Sequence, residues 1–528
     1  MRRTKIVCTI GPGSSSRVML TRLLRAGMDV ARLNFSHGSH AEHAQVIVML
    51  RELAQQAAKP LAILQDLSGP KVRLGTLPVP SILVKRGQEV ALVGTEYVSA
   101  QTQKSMLNRS ATADIADISD VLQTSQPTHR TEIGQEDCLY LPLPVPELLA
   151  ALRPNNTLLI DDGKLSLRVT RCEGEPGTPD RCVWARCLVS GEIKSRKGVS
   201  APGVAFSVPA ITEKDLDDLR FGLAQGVDWV AASYVRNAAD LQPLRAMMNE
   251  VGIYAPLIAK IEKWEAVQNL EEILASVDGI MVARGDLGVE MDLDEVPIVQ
   301  KRIIRACNRA GKPVITATQM LESMISNPRP TRAEATDVAN AVLDGTDAVM
   351  LSGETAVGQF PIEAVKIMGR IAMRAEEAFF AETGFARRLL TPKTVTEVVA
   401  CATADMAENL KARAILCATS TGTTAQRVAQ YRPNVPILGI TTNQKACARL
   451  ALTWGVLPCC IAPVDDTDSL MYAVIAAAKE HKMVRDGDCV VLTAGVPVHS
   501  PGTTNLIKVH TVGQPLAPPL SDSPKIVS

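Results

Sequence analysis

Aromatic side chains are scarce in this 528-residue sequence, at 3%, too few for the stacking platforms that hold single-stranded nucleic acid. An excess of either charge is also missing: 56 Lys and Arg face 56 Asp and Glu, a formal net charge of zero. A chain without a basic field has no general attraction for nucleic acid or an anionic membrane, so neither is an expected partner. No apolar run approaches the ~18 residues of a membrane span. The start, Met1-Arg2-Arg3-Thr4, passes straight into strand-like sequence, which predicts no signal peptide. The twelve cysteines contain no C-x-x-C pair, and Cys172, Cys182 and Cys187 fit no common zinc spacing. Most lie in apolar runs and read as reduced core thiols of a cytoplasmic protein.

What is present is an ordinary globular composition, 46% apolar and 21% charged, in a chain long enough for several domains. Short β-branched runs alternate with helical patterns, the rhythm of βα units around a parallel sheet. Strands are expected at Lys5–Ile10, Val30–Asn34, Leu61–Asp66, Trp229–Ser233, Leu257–Ile261, Gly279–Val282, Val314–Thr316 and Ala348–Leu351. Eight such units need about 250 residues, and segments 1–70 and 201–376 supply them. The fold class is therefore α/β: a (β/α)8 barrel with a β-rich lid domain over 71–200, inserted after the third strand. Within the lid, 98–131 is polar and poorly patterned and reads as a mobile surface insertion. A third, open-sheet α/β domain follows over 377–513, with strands near Ala414–Ala418, Ile437–Thr441, Leu457–Ile461, Cys489–Thr493 and Leu506–His510. Residues 514–528 read as a disordered tail.

In such a barrel the reacting groups sit at the C-terminal ends of strands. The second strand delivers Arg32, Asn34, Phe35, Ser36 and His37, and the third delivers Asp66, Ser68, Lys71 and Arg73. The fifth delivers Lys260 and Glu262, which share a face because strand side chains have period two. The sixth ends in Arg284-Gly285-Asp286, the seventh in Thr316-Ala317-Thr318-Gln319, and the eighth in Ser352-Gly353-Glu354-Thr355. Glu262 and Asp286 are hard oxygen donors suited to Mg²⁺, which shares its shell with substrate phosphate and water. Arg32, Arg73 and Lys260 suit the remaining charge of a phosphorylated substrate. The expected chemistry is Mg²⁺-assisted phosphoryl transfer or enolate chemistry. Taken singly these signals are weak: a lone Lys-x-Glu on a strand is more often a structural ion pair, and Gly-Asp-Leu-Gly alone is usually a turn. His37, His40 and His43 read as a solvated helix start rather than a metal cluster, and Asp161-Asp162-Gly163 as a hairpin turn. Thr419-Ser420-Thr421-Gly422-Thr423-Thr424 lies between a strand and a helix, where hydroxyls and N–H groups suit a phosphate or simply cap the helix.

Several segments resemble one family, the pyruvate kinases. They are T-K-I-V-C-T-I-G-P (Thr4–Pro12), G-M-D-V-A-R-L-N-F-S-H-G (Gly27–Gly38), A-K-I-E (Ala259–Glu262) and D-G-I-M-V-A-R-G-D-L-G-V-E (Asp278–Glu290). A-T-Q-M-L-E-S-M-I (Ala317–Ile325), P-T-R-A-E-A-T-D-V-A-N-A-V (Pro330–Val342) and M-L-S-G-E-T-A (Met350–Ala356) complete the set. The resemblance spans about residues 3–512 and implies phosphoryl transfer from phosphoenolpyruvate to ADP, giving pyruvate and ATP. By position it implies that Lys260 stabilises the transferring phosphoryl and that Glu262 and Asp286 hold Mg²⁺, for which Mn²⁺ can substitute. It places Gly285, Asp286, Thr318 and Ser352 at the substrate and Arg32 on its phosphate. Asn34, Ser36, His37, Arg73 and Lys197 fall at the nucleotide, with the inserted domain closing over it as a lid.

Many members of the family use K⁺, at positions matching Asn34, Ser36, Asp66 and Leu67, and carry Glu where this chain has Lys71. The Lys71 ammonium is expected to supply that charge, so a need for K⁺ is doubted here. The resemblance further implies a phosphorylated allosteric effector at Ser420, Thr421, Gly422, Thr423 and Thr424, and a homotetramer. Two other readings compete: a Mg²⁺-dependent lyase acting through pyruvate enolate, and a non-catalytic metabolite sensor.

Overall fold

The structure is a computed structural model that describes residues 1–94, 139–161, 163–204, 208–382, 391–496 and 504–516. The insertion expected over 98–131, the turn residue Asp162 and nearly all of the tail expected over 514–528 lie outside the described residues.

In chain order, the first strands are β1 (Lys5–Ile10), β2 (Val30–Asn34) and β3 (Ala62–Asp66). A β-rich run follows: β4 (Ser81–Val84), β5 (Glu89–Val93), β6 (Leu139–Pro142), β7 (Thr157–Ile160), β8 (Leu165–Glu173), β9 (Cys182–Val189), β10 (Gly191–Lys194) and β11 (Val199–Ser200). Then come β12 (Trp229–Ala232), β13 (Leu257–Ile261), β14 (Gly279–Ala283), β15 (Val314–Ala317) and β16 (Ala348–Leu351). The last five are β17 (Ala414–Ala418), β18 (Ile437–Thr441), β19 (Val456–Cys460), β20 (Cys489–Ala494) and β21 (Leu506–Thr511).

β1, β2, β3 and β12 to β16 close into an eight-stranded parallel barrel in the order β1-β16-β15-β14-β13-β12-β3-β2. All eight expected barrel strands are present, with ends shifted by at most a residue. Their near-continuous apolar sequence is what burial on both faces requires. β3 pairs directly with β12, Asp66 opposite Ala231, although the whole β-rich run lies between them in sequence. The helices between strands begin where the sequence marks them. Thr212 caps the helix Glu213–Ala224 by accepting from Asp215 N, while the Asp215 carboxylate accepts from Thr212 N, a reciprocal box.

Two compact units divide the chain: Met1–Gly69, Ile211–Arg284 and Pro297–Ser528 form one, Pro70–Ala210 and Gly285–Val296 the other. The second unit carries a six-stranded sheet, β11-β7-β8-β9-β5-β6, and the pair β10-β4. Its core is Val90, Leu92, Leu141, Leu158, Leu167, Val183 and their neighbours. β7 and β8 form the hairpin read from Asp161 and Gly163, and Asp161 takes a positive φ of 54° there.

Within the first unit, β17 to β21 form an open sheet in the order β19-β18-β17-β20-β21, parallel except for the β20–β21 pair. This domain also supplies the floor of the barrel. Ala451 and Leu452 belong to the same buried cluster as Val7, Ile258, Met281, Ile315 and Met350 of the barrel strands.

Candidate active site at the barrel rim

Lys260 lies near the end of β13 and Glu262 directly after it, and the two side chains meet, as strand alternation predicts. Lys260 Nζ lies 2.8 Å from Glu262 Oε1 and 3.4 Å from Asp66 Oδ1, and it donates to Ser233 Oγ at 2.7 Å. Arg32 Nε donates to Asp66 Oδ2 at 2.6 Å, and its Nη1 to Thr9 Oγ1 at 2.9 Å. Glu262 Oε2 accepts the Tyr234 N–H at 2.8 Å. Two cations and two carboxylates are thus taken out of water together. Such a set is tolerated because it balances; deleting one partner of a buried pair typically costs about 3–5 kcal/mol.

The titration of the group follows from that balance. Burial alone pulls the Lys260 ammonium down, but Asp66 and Glu262 outweigh it and hold Lys260 above its ordinary value. Burial pushes Asp66 up, and the cations of Lys260 and Arg32 more than reverse this, leaving it below the usual carboxylate range. Lys260 therefore stays a cation at any physiological pH.

The next strand ends carry the other rim residues. Thr318, just past β15, has φ 64°, and Gln319 after it has φ 54°. Two successive left-handed non-glycine residues cost about 1–3 kcal/mol each and persist only where the surroundings over-determine them. Thr318 Oγ1 donates to Ala317 O at 2.7 Å, and the Arg284 side chain donates to the carbonyls of Ala317 and Thr318. After β16, Ser352 N and Leu321 N both donate to the Glu354 carboxylate, at 2.7 and 3.0 Å. Burial pushes Glu354 up in pKa despite those bonds. Gly285 and Asp286 stand in the first turn of the helix Arg284–Glu290, directly after β14, and begin the segment Gly285–Val296 that belongs to the second unit.

At the end of β2, Ser36 N donates to Asn34 Oδ1 at 3.2 Å, and Ser68 Oγ to Ser36 Oγ at 2.9 Å. The Leu67 side chain is buried, and its carbonyl accepts Ser233 Oγ at 2.6 Å. His37 O meets His43 Nε2 at 2.9 Å. His40 opens the helix His40–Gln56 and His37 lies just before it; both are exposed, as a solvated helix start predicts, and His40 and His43 also make contacts. His40 Nε2 sits 2.7 Å from Asp218 and stacks on Phe221, while His43 stacks on Phe35.

In the second unit Arg73 and Lys197 are neighbours. Arg73 forms a bridge with Gly198, Leu74 N donates to Lys197 O, and Lys197 Nζ pairs with Asp161 at 2.8 Å. Lys71 packs its Cε over Gly198, 3.2 Å from where a Cβ would stand.

In the C-terminal sheet, the turn after β17 leads into the helix Thr423–Gln430 with Gly422 at its start (φ 97°) and no side-chain cap. Thr424 is buried, its hydroxyl 2.8 Å from Thr504 Oγ1, which separates it from Ser420, Thr421 and Thr423.

Sequence reasoning missed Ser233 and Thr9 as members of the rim, and placed Arg284 at the end of the sixth strand without giving it a role. Each stood at a strand end, but only barrel closure shows that β12 offers Ser233 to Lys260 and β1 offers Thr9 to Arg32.

A closed eight-stranded parallel barrel whose rim gathers cations and carboxylates at the C-terminal strand ends has the architecture of the (β/α)8 enzymes. The family model described as the barrel domain of pyruvate kinase matches residues 1–126 and 111–365, and the one for its alpha/beta domain matches 397–510. Pyruvate kinase of Geobacillus stearothermophilus is 43% identical over 518 residues, covering 98% of this chain and 81% of the relative. The pyruvate kinase of Sporosarcina psychrophila is 42% identical over 519 residues (98% and 82%). Pyruvate kinase 2 of a Synechocystis strain is 44% identical over 515 residues (97% and 79%). The chain belongs to the pyruvate kinase family.

Proposed function

We propose that this chain transfers the phosphoryl group of phosphoenolpyruvate to ADP, giving pyruvate and ATP, as the closing step of glycolysis. The observation that carries the proposal is Lys260, a buried ammonium held between Asp66 and Glu262 at the C-terminal rim of the barrel. A phosphoryl group passing between two anions needs mainly position and fixed positive charge. Lys260 and Arg32, whose side chains are largely buried, supply that charge. Gly285, Asp286, Thr318 and Ser352 hold the substrate. Asn34, Ser36, His37, Arg73 and Lys197 meet the nucleotide; the adjacency of Arg73 and Lys197 in one unit supports a shared phosphate role.

Glu262 and Asp286 are proposed to hold Mg²⁺, or Mn²⁺ in its place; both are oxygen donors of the hardness that ion takes. When bound, the metal neutralises phosphate charge as it develops. Asn34, Ser36, Asp66 and Leu67 form the proposed K⁺ position. The doubt over K⁺ gains no support from the comparisons, and the contact seen for Lys71 is with Gly198. Ser420, Thr421, Gly422 and Thr423 are the proposed contacts of a phosphorylated effector, with Thr424 buried behind them, and a homotetramer is the proposed assembly. Among the described residues no helix is long and apolar enough to cross a membrane. The family match favours this reading over the lyase and the sensor.

The test is pyruvate and ATP formation from phosphoenolpyruvate and ADP, with Mg²⁺ and with chelator, and with K⁺ or a larger inert cation. Lys260→Met is expected to lower kcat by about 10²–10³-fold, the usual loss for one preorganised electrostatic group. Chelator should abolish turnover. Equal rates with K⁺ and the inert cation would assign its charge to Lys71; strong activation by K⁺ would end that idea. An intact chain that makes neither product, with phosphorylated effectors present, would overturn the proposal.

A further inference from the structure

The strand end that carries Thr318 is held by a side chain with no part in the proposed chemistry. Arg284 is the first residue of the helix Arg284–Glu290, yet its side chain leaves that helix and crosses to the end of the neighbouring strand β15. Nε donates to Ala317 O at 3.1 Å and Nη2 to Thr318 O at 2.7 Å. Nη1 donates to Asp337 Oδ1 at 2.6 Å and to Gln300 Oε1 at 3.3 Å. A guanidinium is a planar fork of five N–H donors. Here one cation closes on two consecutive carbonyls while a carboxylate fixes its far edge.

Those carbonyls belong to a backbone that would not hold its shape alone. Thr318 and Gln319 are both left-handed, and for a β-branched residue that region is a true outlier. Thr318 Oγ1 donates to Ala317 O, the oxygen that also accepts from Arg284 Nε. The direction of the hydroxyl is thus tied to where that carbonyl points, and Arg284 donates to the same carbonyl. A lysine presents a compact point charge without the fork and cannot hold both carbonyls in one plane.

We propose that Arg284, anchored by Asp337, is a positioning residue of the reaction: it holds the Ala317–Gln319 turn in its left-handed form and so aims the Thr318 hydroxyl. The proposal rests on the reading that Thr318 meets the substrate.

The test compares Arg284→Met, Arg284→Lys, Asp337→Asn, Thr318→Ala and the double variant Arg284→Met/Thr318→Ala in the full chain with Mg²⁺. Arg284→Met should lower kcat by about 100-fold with KM for phosphoenolpyruvate within about threefold, the pattern of a group felt in the transition state. Arg284→Lys should recover no more than about a tenth of the wild-type kcat, and Asp337→Asn should lose about tenfold. Because both residues act through one hydroxyl, the double variant should be no slower than Thr318→Ala alone within about threefold. Losses that multiply would overturn the proposal, as would wild-type kinetics in Arg284→Met. Should Arg284→Met not fold, Asp337→Asn, at a side chain 35% exposed, carries the same comparison against Thr318→Ala.

Amide hydrogen exchange over residues 317–321 gives a readout independent of turnover. It should quicken at least about tenfold in Arg284→Met or Asp337→Asn, and unchanged exchange would overturn the proposal even if activity falls. Quickened exchange together with a fully active Thr318→Ala would overturn it by the other route, removing Thr318 from the chemistry.

Discussion

Lys260 and Lys5 are both buried lysines on barrel strands, and their surroundings push them in opposite directions. Two carboxylates hold Lys260 up. Lys5 lies at the other end of the barrel, where Nζ donates to Val456 O at 2.6 Å. Burial there outweighs the pull of Asp29, with Arg2 and Lys59 adding repulsion, and brings its pKa down to about 8. The unfolded chain therefore binds more protons than the folded one between about pH 8 and the ordinary lysine value. Stability gained from this residue is absent below pH 8 and rises toward pH 10.5, by about 3 kcal/mol at one pKa unit per 1.36 kcal/mol. Lys5→Met, which never carries the charge, should hold its largest advantage over the wild type at pH 7 and lose it by pH 10. Denaturant unfolding of both proteins at the two pH values checks this; a gap that ignores pH would refute it.

At the scale of single elements, close approach decides what propensity cannot. The helix Glu213–Ala224 contains Gly222, and an exposed mid-helix glycine changed to alanine gains about 1 kcal/mol. Gly222 is not in that position. A Cβ there would stand 2.0 Å from Gln65 Oε1, and Gln65 is wholly buried on β3 beside Asp66, its Nε2 committed to Asp218 O. Gly222→Ala is therefore expected to destabilise by about 1–3 kcal/mol, the cost of overpacking, and to lower kcat by shifting the end of β3. Thermal unfolding with an activity assay reads both, and a stabilised, fully active variant would show that helix and strand can part. The helix was legible in the sequence from the Thr212 and Asp215 spacing. The role of its glycine was not, because the partner lies some 150 residues away in the chain.

For the molecule as a whole, the C-terminal domain of the first unit closes the barrel from below. Leu452 and Ala451 sit in the interior cluster, and Arg432 reaches Asp347 at 3.0 Å, Asn308 at 2.8 Å and Gly345 O at 2.8 Å beneath β15 and β16. The helix Gln444–Leu450 leads directly into this floor, and Leu450 also packs against Gly422, 3.2 Å from where a Cβ would stand. Leu452→Ala should cost about 2–5 kcal/mol, as large-to-small changes in a core do. It should move the unfolding of barrel and C-terminal sheet together. Two separated transitions in calorimetry, with only the C-terminal one shifted, would show that the floor belongs to its own domain alone.

The sequence by itself determined the strands of the barrel and of the last sheet, nearly to the residue. Period two, β-branched runs and N-cap spacing are local, and parallel strands buried on both faces leave an unbroken apolar signal. It also determined the family, through long motifs at strand ends, and with it Lys260, Glu262, Asp66 and Arg32 as rim residues. Only the tertiary structure decided who their partners are. That Ser233 meets Lys260, that Thr9 meets Arg32, that Thr424 turns inward to Thr504, and that Arg284 grips the turn at Thr318 all follow from which strands and loops lie side by side. Pairing across a closed barrel joins residues far apart in sequence, and no local pattern records it, because side-chain contact depends on distance in space while propensity depends on neighbours along the chain.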